Sequence, residues 1–124
     1  EAVASNSVVE TIDMFPTLFD LCDIDTPPFV EGESFAKILK DPSLPGKSAG
    51  FTWANRKRVS IQTERYRLNV DRDLDPSSFE LYDHKYDPDE FINVSCNPQY
   101  KEAIEKLISY YTDHQKKYRL FESE

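Results

Sequence analysis

Acidic and histidine side chains crowd one short stretch of this 124-residue sequence: Asp83, His84, Asp87, Asp89 and Glu90, around a turn that contains Pro88. Carboxylates at such density could hold calcium. The stretch lacks the regular spacing and the central glycine of a helix–loop–helix calcium loop, so it reads as a solvated turn. His84 and His114 are the only histidines. Neither has a partner at helical or hairpin spacing, and the three or four converging ligands of a zinc site are not visible. Cys22 and Cys96 are uninformative: each sits beside apolar residues and could simply be buried as a small hydrophobe. A disulfide between them does not follow from sequence. With only three glycines, the chain carries no G-x-S-x-G, no P-loop and no G-x-G-x-x-G. Asn93-Val94-Ser95 matches the short and common glycosylation sequon.

Charge narrows the function classes. A net charge of −8 argues against a general nucleic-acid binder. It is unevenly spread: Arg56, Lys57, Arg58, Arg65, Arg67 and Arg72 face only Glu64 and Asp71 across the same segment. Such a basic island suits an anionic ligand or an acidic neighbouring surface. It equally suits the outward positions of two strands. No run of about 18 apolar residues exists to span a membrane, and the first residues have neither a basic nor an apolar leader region. The sequence does not begin with Met and opens in an ordinary polar–apolar pattern, which suggests a piece of something longer.

The elements that must position these side chains are legible from periodicity. Asp13 is a good N-cap, and Pro16 suits the first turn of the helix it would start. Met14, Phe15, Leu18, Phe19, Leu21 and Cys22 make that helix apolar over much of its circumference, so it should pack on both sides. Ser34 can cap a short helix over 35–40, and Asp41 to Gly46 is a loop. Strand composition follows in 49–54, 58–63, 65–70 and 79–83, with Val59 and Ile61, then Tyr66, Leu68 and Val70, alternating against polar neighbours. Glu64-Arg65 closes an antiparallel hairpin. Asn97 and Pro98 start the last helix, in which Tyr100, Ala103, Ile104, Leu107, Ile108 and Tyr111 form one apolar stripe. The tail after His114 is expected to fray. The fold class is therefore α+β. A small antiparallel sheet of about four strands is covered by a C-terminal amphipathic helix, and residues 1–48 precede the 49–124 sheet-and-helix part as helical segments.

Four stretches, in order, resemble segments of the sulfatase family. Val8 to Leu21 (VVETIDMFPTLFDL) resembles its V-D-x-x-P-T-L-L-D-L segment, and Glu31 to Leu39 (EGESFAKIL) its G-x-S-L-x-P-L-L step. Ser60 to Leu68 (SIQTERYRL) resembles its S-I-R-T-x-R-Y-R-Y hairpin. Glu80-Leu81-Tyr82-Asp83, with Asp87-Pro88-Asp89-Glu90 and Asn93, resembles its E-L-Y-D-L-x-x-D-P-x-E-x-x-N-L ending. Within the family, the chain most resembles the iduronate-2-sulfatase-like members. Gln62 departs from the pattern, standing where the family commonly has Arg, and so weakens any anion contact carried over to that position.

The resemblance implies the C-terminal part of an alkaline-phosphatase-like α/β protein that hydrolyses sulfate esters, with sulfated sugars as substrates. Its partner would be an N-terminal catalytic domain holding calcium and a formylglycine made from the Cys or Ser of a C/S-x-P-x-R motif. It also implies a secreted, periplasmic or lysosomal parent. Cys96-Asn97-Pro98-Gln99-Tyr100 comes near that motif, but Tyr100 stands where Arg is needed. Within this chain, Trp53, Asn55 and Arg56 are the candidates for one wall of the substrate pocket: an aromatic stacks on a sugar face, and Arg takes a sulfate or carboxylate bidentately. The competing assignment makes Trp53 core and Arg56 solvated. A non-enzymatic module that binds an anionic glycan or an acidic protein through Arg56–Arg72 is the alternative function, and a purely structural docking role is a third.

Overall fold

A computed structural model describes residues 3–54 and 57–118. Two compact units divide the chain, Glu1–Ser48 and Ala49–Glu124.

The second unit is an antiparallel meander of four strands in the order β1-β2-β3-β4. Its strands are β1 (Gly50–Ala54), β2 (Arg58–Gln62), β3 (Tyr66–Asp71) and β4 (Glu80–Asp83), followed by the helix that we number α3 (Lys101–Tyr118). Registers pair Trp53 with Val59, Ile61 with Leu68, and Leu68 with Leu81, so these side chains share one face. On that face Val59, Ile61, Leu68, Val70 and Leu81 are fully buried, together with Leu107 and Tyr111 of the helix. Burying each large aliphatic side chain contributes roughly 1.5–3 kcal/mol before entropy is subtracted. The stripe read from sequence is therefore the one that covers the sheet. Asn97 accepts a hydrogen bond from the Gln99 N–H, Pro98–Tyr100 form a 3-10 turn, and the α-helix starts at Lys101. The helix does not fray at His114. It runs to Tyr118, because the His114 ring stacks on Phe51 with centroids 4.1 Å apart; residues 119–124 lie outside the described residues.

Asp83 corrects the reading of the acidic stretch as a solvated turn. Alternation along β4 puts Asp83 on the same face as Leu81, and its side chain is only 2% exposed. Arg65, at the end of the β2–β3 turn, reaches it with two parallel hydrogen bonds, Nε to Oδ1 at 2.8 Å and Nη2 to Oδ2 at 2.7 Å. The Arg65 guanidinium holds the Asp83 carboxyl below the ordinary aspartate range; burial pushes it up, and the Lys85 N–H and Tyr100 hydroxyl help to outweigh that. One carboxylate thus ties together a hairpin turn, the end of a strand and the start of the covering helix.

The first unit is built around a second buried carboxylate. Asp13 is 1% exposed and does not cap α1 (Met14–Leu21) through its side chain as expected. Thr11–Asp13 form a 3-10 turn instead. The Asp13 carboxylate accepts from the Glu10 N–H at 2.8 Å, the Glu33 N–H at 2.8 Å and Lys47 Nζ at 2.6 Å. Burial alone would lower the pKa of Lys47, but hydrogen bonds to Asp13 and Glu10 leave it raised. Gly32 is required beside this site, since a Cβ there would sit 2.2 Å from the Ile12 carbonyl oxygen. α2 (Ala36–Lys40) begins one residue later than expected, with Ser34 Oγ accepting from the Ala36 N–H and donating to Asp20. Val8 joins Lys47 by a single bridge. α1 buries Pro16 and Thr17, whereas Met14, Phe15, Leu18 and Leu21 are exposed; a unit this small lacks the material to cover both sides of a helix. Cys22 and Cys96 are free and exposed rather than buried: Cys22 caps the C-terminus of α1 and Cys96 lies in the turn before Asn97.

The Arg65–Asp83 pair gives an ordered prediction. Asp83→Asn removes one charge and keeps the shape, and should cost about 1–2 kcal/mol. Arg65→Met strands a buried carboxylate and should cost more. Because the folded Asp83 pKa is depressed, its contribution is full at neutral pH. It is lost as pH falls from the ordinary aspartate range near about 4 toward the depressed value. Denaturant titrations at neutral pH and through that acid window check both the order and the disappearance of this component in Asp83→Asn.

Candidate functional site

The two ends of the sheet present different chemistry. At the β1–β2 end, Ala54 pairs with Arg58. The Arg72 N–H donates to the Lys57 carbonyl at 2.7 Å, bringing the connection after β3 to the same end. Asn55 and Arg56, two of the three candidate wall residues, lie outside the described residues. Trp53 is half-buried, one strand residue before them. Its register opposite Val59 puts the indole on the helix side, where its centroid is 5.8 Å from that of Tyr111. The Tyr111 hydroxyl, pushed up in pKa by burial, accepts from Gln115 Nε2 at 2.6 Å. Trp53 therefore packs against the core.

The opposite end carries a closed ring of polar side chains on the outer face of the sheet. Arg67 Nε donates to Gln62 Oε1 at 2.7 Å, and Arg67 Nη1 lies 3.0 Å from Glu90 Oε2. Glu90 Oε1 is 2.7 Å from His84 Nε2, and His84 Nδ1 is 3.5 Å from Gln62 Nε2. The Gln62 amide orientation is fixed twice over: its oxygen faces the Arg67 donor and its nitrogen donates to the Thr63 carbonyl at 2.9 Å. The sequence-stretch His84–Glu90 is thus folded back on the sheet, with Glu90 in the left-handed region at φ 61°. Sequence reasoning missed this ring. Its signal was parity, since Gln62, Arg67 and Tyr82 occupy one register row of the outer face.

These pairings account for much of the basic island. Arg58 lies 2.8 Å from Glu80, Arg65 is bound by Asp83, and Arg67 by Glu90. Each of those arginines already has a carboxylate beside it. Asp87 in turn accepts from the Ile92 N–H. Among the described residues no group of three or more His, Cys, Asp or Glu is placed to hold a metal ion. The sequon residues are also engaged: Asn93 Oδ1 accepts from the Leu81 N–H and Ser95 Oγ donates to the Phe79 carbonyl, sealing the outer edge of β4.

Comparison with known proteins decides the family. The family model described as N-sulphoglucosamine sulphohydrolase, C-terminal, matches residues 1–117. The chain belongs to this sulfatase C-terminal family. It is similar to an N-acetylglucosamine-6-O-sulfatase of Bacteroides thetaiotaomicron, with 24% identity over 93% of this chain and 22% of that protein. It is also similar to arylsulfatase K of Mus musculus, with 27% identity over 72% of this chain and 18% of that protein. A solved structure in complex with its substrate, D-glucosamine-2-N,6-O-disulfate, shares the fold at a TM-score of 0.71 and 23% identity, over 86% of this chain and 24% of that one. The sulfatase domain therefore spans about a quarter or less of the length of these relatives. The four-stranded antiparallel sheet with its C-terminal helix is the fold expected from sequence. Nothing in these matches singles out the iduronate-2-sulfatase-like subgroup.

The polar ring yields a second prediction. Its members are part-exposed, with Arg67 at 41% and Glu90 at 22%, so a double-mutant cycle of Arg67→Met and Glu90→Gln should give a coupling of only about 0.5–1 kcal/mol. Amide exchange in residues 84–92 should nonetheless rise in either single mutant, because the ring fastens that segment to the sheet.

Proposed function

We propose that this chain is the C-terminal part of a sulfuric ester hydrolase that acts on a sulfated sugar. The carrying observation is the family match across residues 1–117. The sulfated amino sugar named for one structural relative and the N-acetylglucosamine-6-O-sulfatase activity named for another relative support the substrate class. In this reading the chain supports an N-terminal catalytic domain and lends it one wall of the substrate pocket.

The family's calcium and formylglycine do not fit the residues present. The carboxylates that could approach a cation are engaged, Asp83 by Arg65, Glu90 by Arg67 and His84, and Asp13 by Lys47. Cys96 is followed by Pro98 and then Tyr100, without the arginine of C/S-x-P-x-R. Both groups would belong to the remainder of the polypeptide. What this chain contributes is positioning. Trp53, anchored on Tyr111, would give a sugar ring a flat apolar surface, while Asn55 and Arg56 would supply donors to its hydroxyl, carboxylate or sulfate oxygens. The alternative, an anionic-glycan or protein module built on Arg56–Arg72, needs unengaged guanidinium groups. The pairing of Arg58, Arg65 and Arg67 argues against it.

The 124 residues alone should not turn over an aryl sulfate, and turnover by them would refute the division of labour. In the complete polypeptide, Arg56→Lys should lower kcat/KM on a sulfated sugar about tenfold or more, since it exchanges a planar fork for a point charge. The same variant should leave hydrolysis of a small aryl sulfate nearly unchanged. Equal kinetics on both substrates in wild type and variant would remove Arg56 from the wall.

A further inference from the structure

Hydrogen bonds run in one direction around the polar ring. Arg67 has only donors, and an ionised Glu90 only accepts. One path between them is direct, Arg67 Nη1 to Glu90 Oε2 at 3.0 Å. The other passes through two side chains. Arg67 Nε donates to Gln62 Oε1 at 2.7 Å, Gln62 Nε2 meets His84 Nδ1 at 3.5 Å, and His84 Nε2 meets Glu90 Oε1 at 2.7 Å. Gln62 cannot turn its amide round, because Arg67 holds its oxygen and the Thr63 carbonyl its nitrogen. Its NH2 group therefore faces Nδ1, which must be the bare ring nitrogen, and Nε2 carries the hydrogen given to Glu90. The ring closes around a neutral imidazole, and a proton on Nδ1 would set one N–H against another.

The segment that bears His84 and Glu90 is tied at its ends by backbone. The His84 N–H donates to the Arg65 carbonyl and the Val94 N–H to the Leu81 carbonyl, both at 2.9 Å. Between them, the N–H groups of Tyr86 and Asp87 bond back to Asp83, that of Glu90 to Asp87, and that of Ile92 to the Asp87 carboxylate. His84 and Glu90 both belong to this segment, so their mutual attraction persists whether or not the segment lies on the sheet. The Gln62–His84 and Arg67–Glu90 contacts join it to the outer face, and a proton on His84 weakens both. It makes the first a donor–donor contact. It sets a second cation near Arg67 and offsets the charge of Glu90. The other charged or titratable neighbours do not change sign in the same range. Tyr82, opposite Arg67 in register, is pushed up in pKa by burial and by Glu80, Glu90 and Asp87, against Arg58. Arg65 and Asp83 are committed to each other, and Lys85 lies over the Tyr86 ring.

We propose that His84 is a pH-sensitive latch: neutral, it fastens residues 84–92 to the outer face of β2 and β3; protonated, it releases them. The latched form binds one proton fewer than the released form. Its stability therefore rises with pH across the range in which imidazole ordinarily titrates, about pH 5–8, and is lost as pH falls through it. Hydrogen–deuterium exchange read by mass spectrometry on the complete polypeptide tests this, each rate being divided by the intrinsic rate at that pH. From about pH 8 to about pH 5.5, protection of an 84–92 peptide should fall about tenfold in wild type, with β3 and α3 peptides unchanged. His114, the other histidine, lies on α3 against Phe51, so the α3 peptide reports on it separately. His84→Gln, which has no titrating ring, should lack the step. Gln62→Glu should lack it too, since a carboxylate accepts from Arg67 Nε and from a protonated Nδ1 alike. In both variants the β3 and α3 peptides show that the unit is folded. Constant wild-type protection across this window would overturn the proposal. A loss that persists in His84→Gln would place the titrating group elsewhere, and one that persists in Gln62→Glu would remove the amide from the latch; either also overturns it. So would a wild-type loss shared by the β3 and α3 peptides, which is unfolding of the whole unit.

Discussion

The sheet-and-helix unit depends on a single buried charge. Asp83 lies on the covered face of the sheet, opposite Tyr66 and within reach of the Tyr100 hydroxyl, where an isolated carboxylate would not survive ionised. It is tolerated because Arg65 meets it bidentately while leaving much of its own guanidinium in water. The pair fixes where β4 ends and where the β2–β3 turn lies. Through Tyr100 it also fixes where the covering helix begins. The hydrophobic contacts of Val59, Ile61, Leu68 and Leu81 with Leu107 and Tyr111 supply most of the stabilisation, but they are non-directional. The ion pair is what gives that core a single geometry at its Tyr66–Asp83 end.

The first unit uses the same device. Asp13 is surrounded by donors from three separate parts of the chain, and Lys47 neutralises it. In both units an acidic side chain that composition alone would place in water is instead an internal fastening. Three of the six basic residues between Arg56 and Arg72 are paired as well, Arg58 with Glu80, Arg65 with Asp83 and Arg67 with Glu90.

Much of the fold was legible in the sequence because periodicity reports burial directly. The 3.6-residue stripe from Tyr100 to Tyr111 and the alternation of Val59 and Ile61, then Leu68 and Val70, identified the helix, the strands and their shared face. Side chains whose environment depends on partners distant in sequence were less legible. Asp83 looked like one member of an acidic turn, although its parity with Leu81 pointed inward. Cys22 and Cys96 looked buried because their sequence neighbours are apolar, but both occupy the ends of elements. Glu90 could be placed only once the turn at Pro88 and its own left-handed backbone returned it to Arg67. Of the candidate wall, Trp53 lies on the core face against Tyr111, a position compatible with either role, and Asn55 and Arg56 fall outside the described residues. Sequence could name those three residues by chemistry but not place them against a substrate, because residue type carries no distance.

Under the proposed function, the chemistry would reside in polypeptide joined to this chain, and these residues would shape its pocket. The most direct test is tandem mass spectrometry of the protein purified from its natural source. Peptides from Ser60–Arg67 and from a C/S-x-P-x-R segment are expected within one polypeptide, with the Cys or Ser of that segment converted to formylglycine. A purified polypeptide that carries this chain but no such segment would contradict the proposed function.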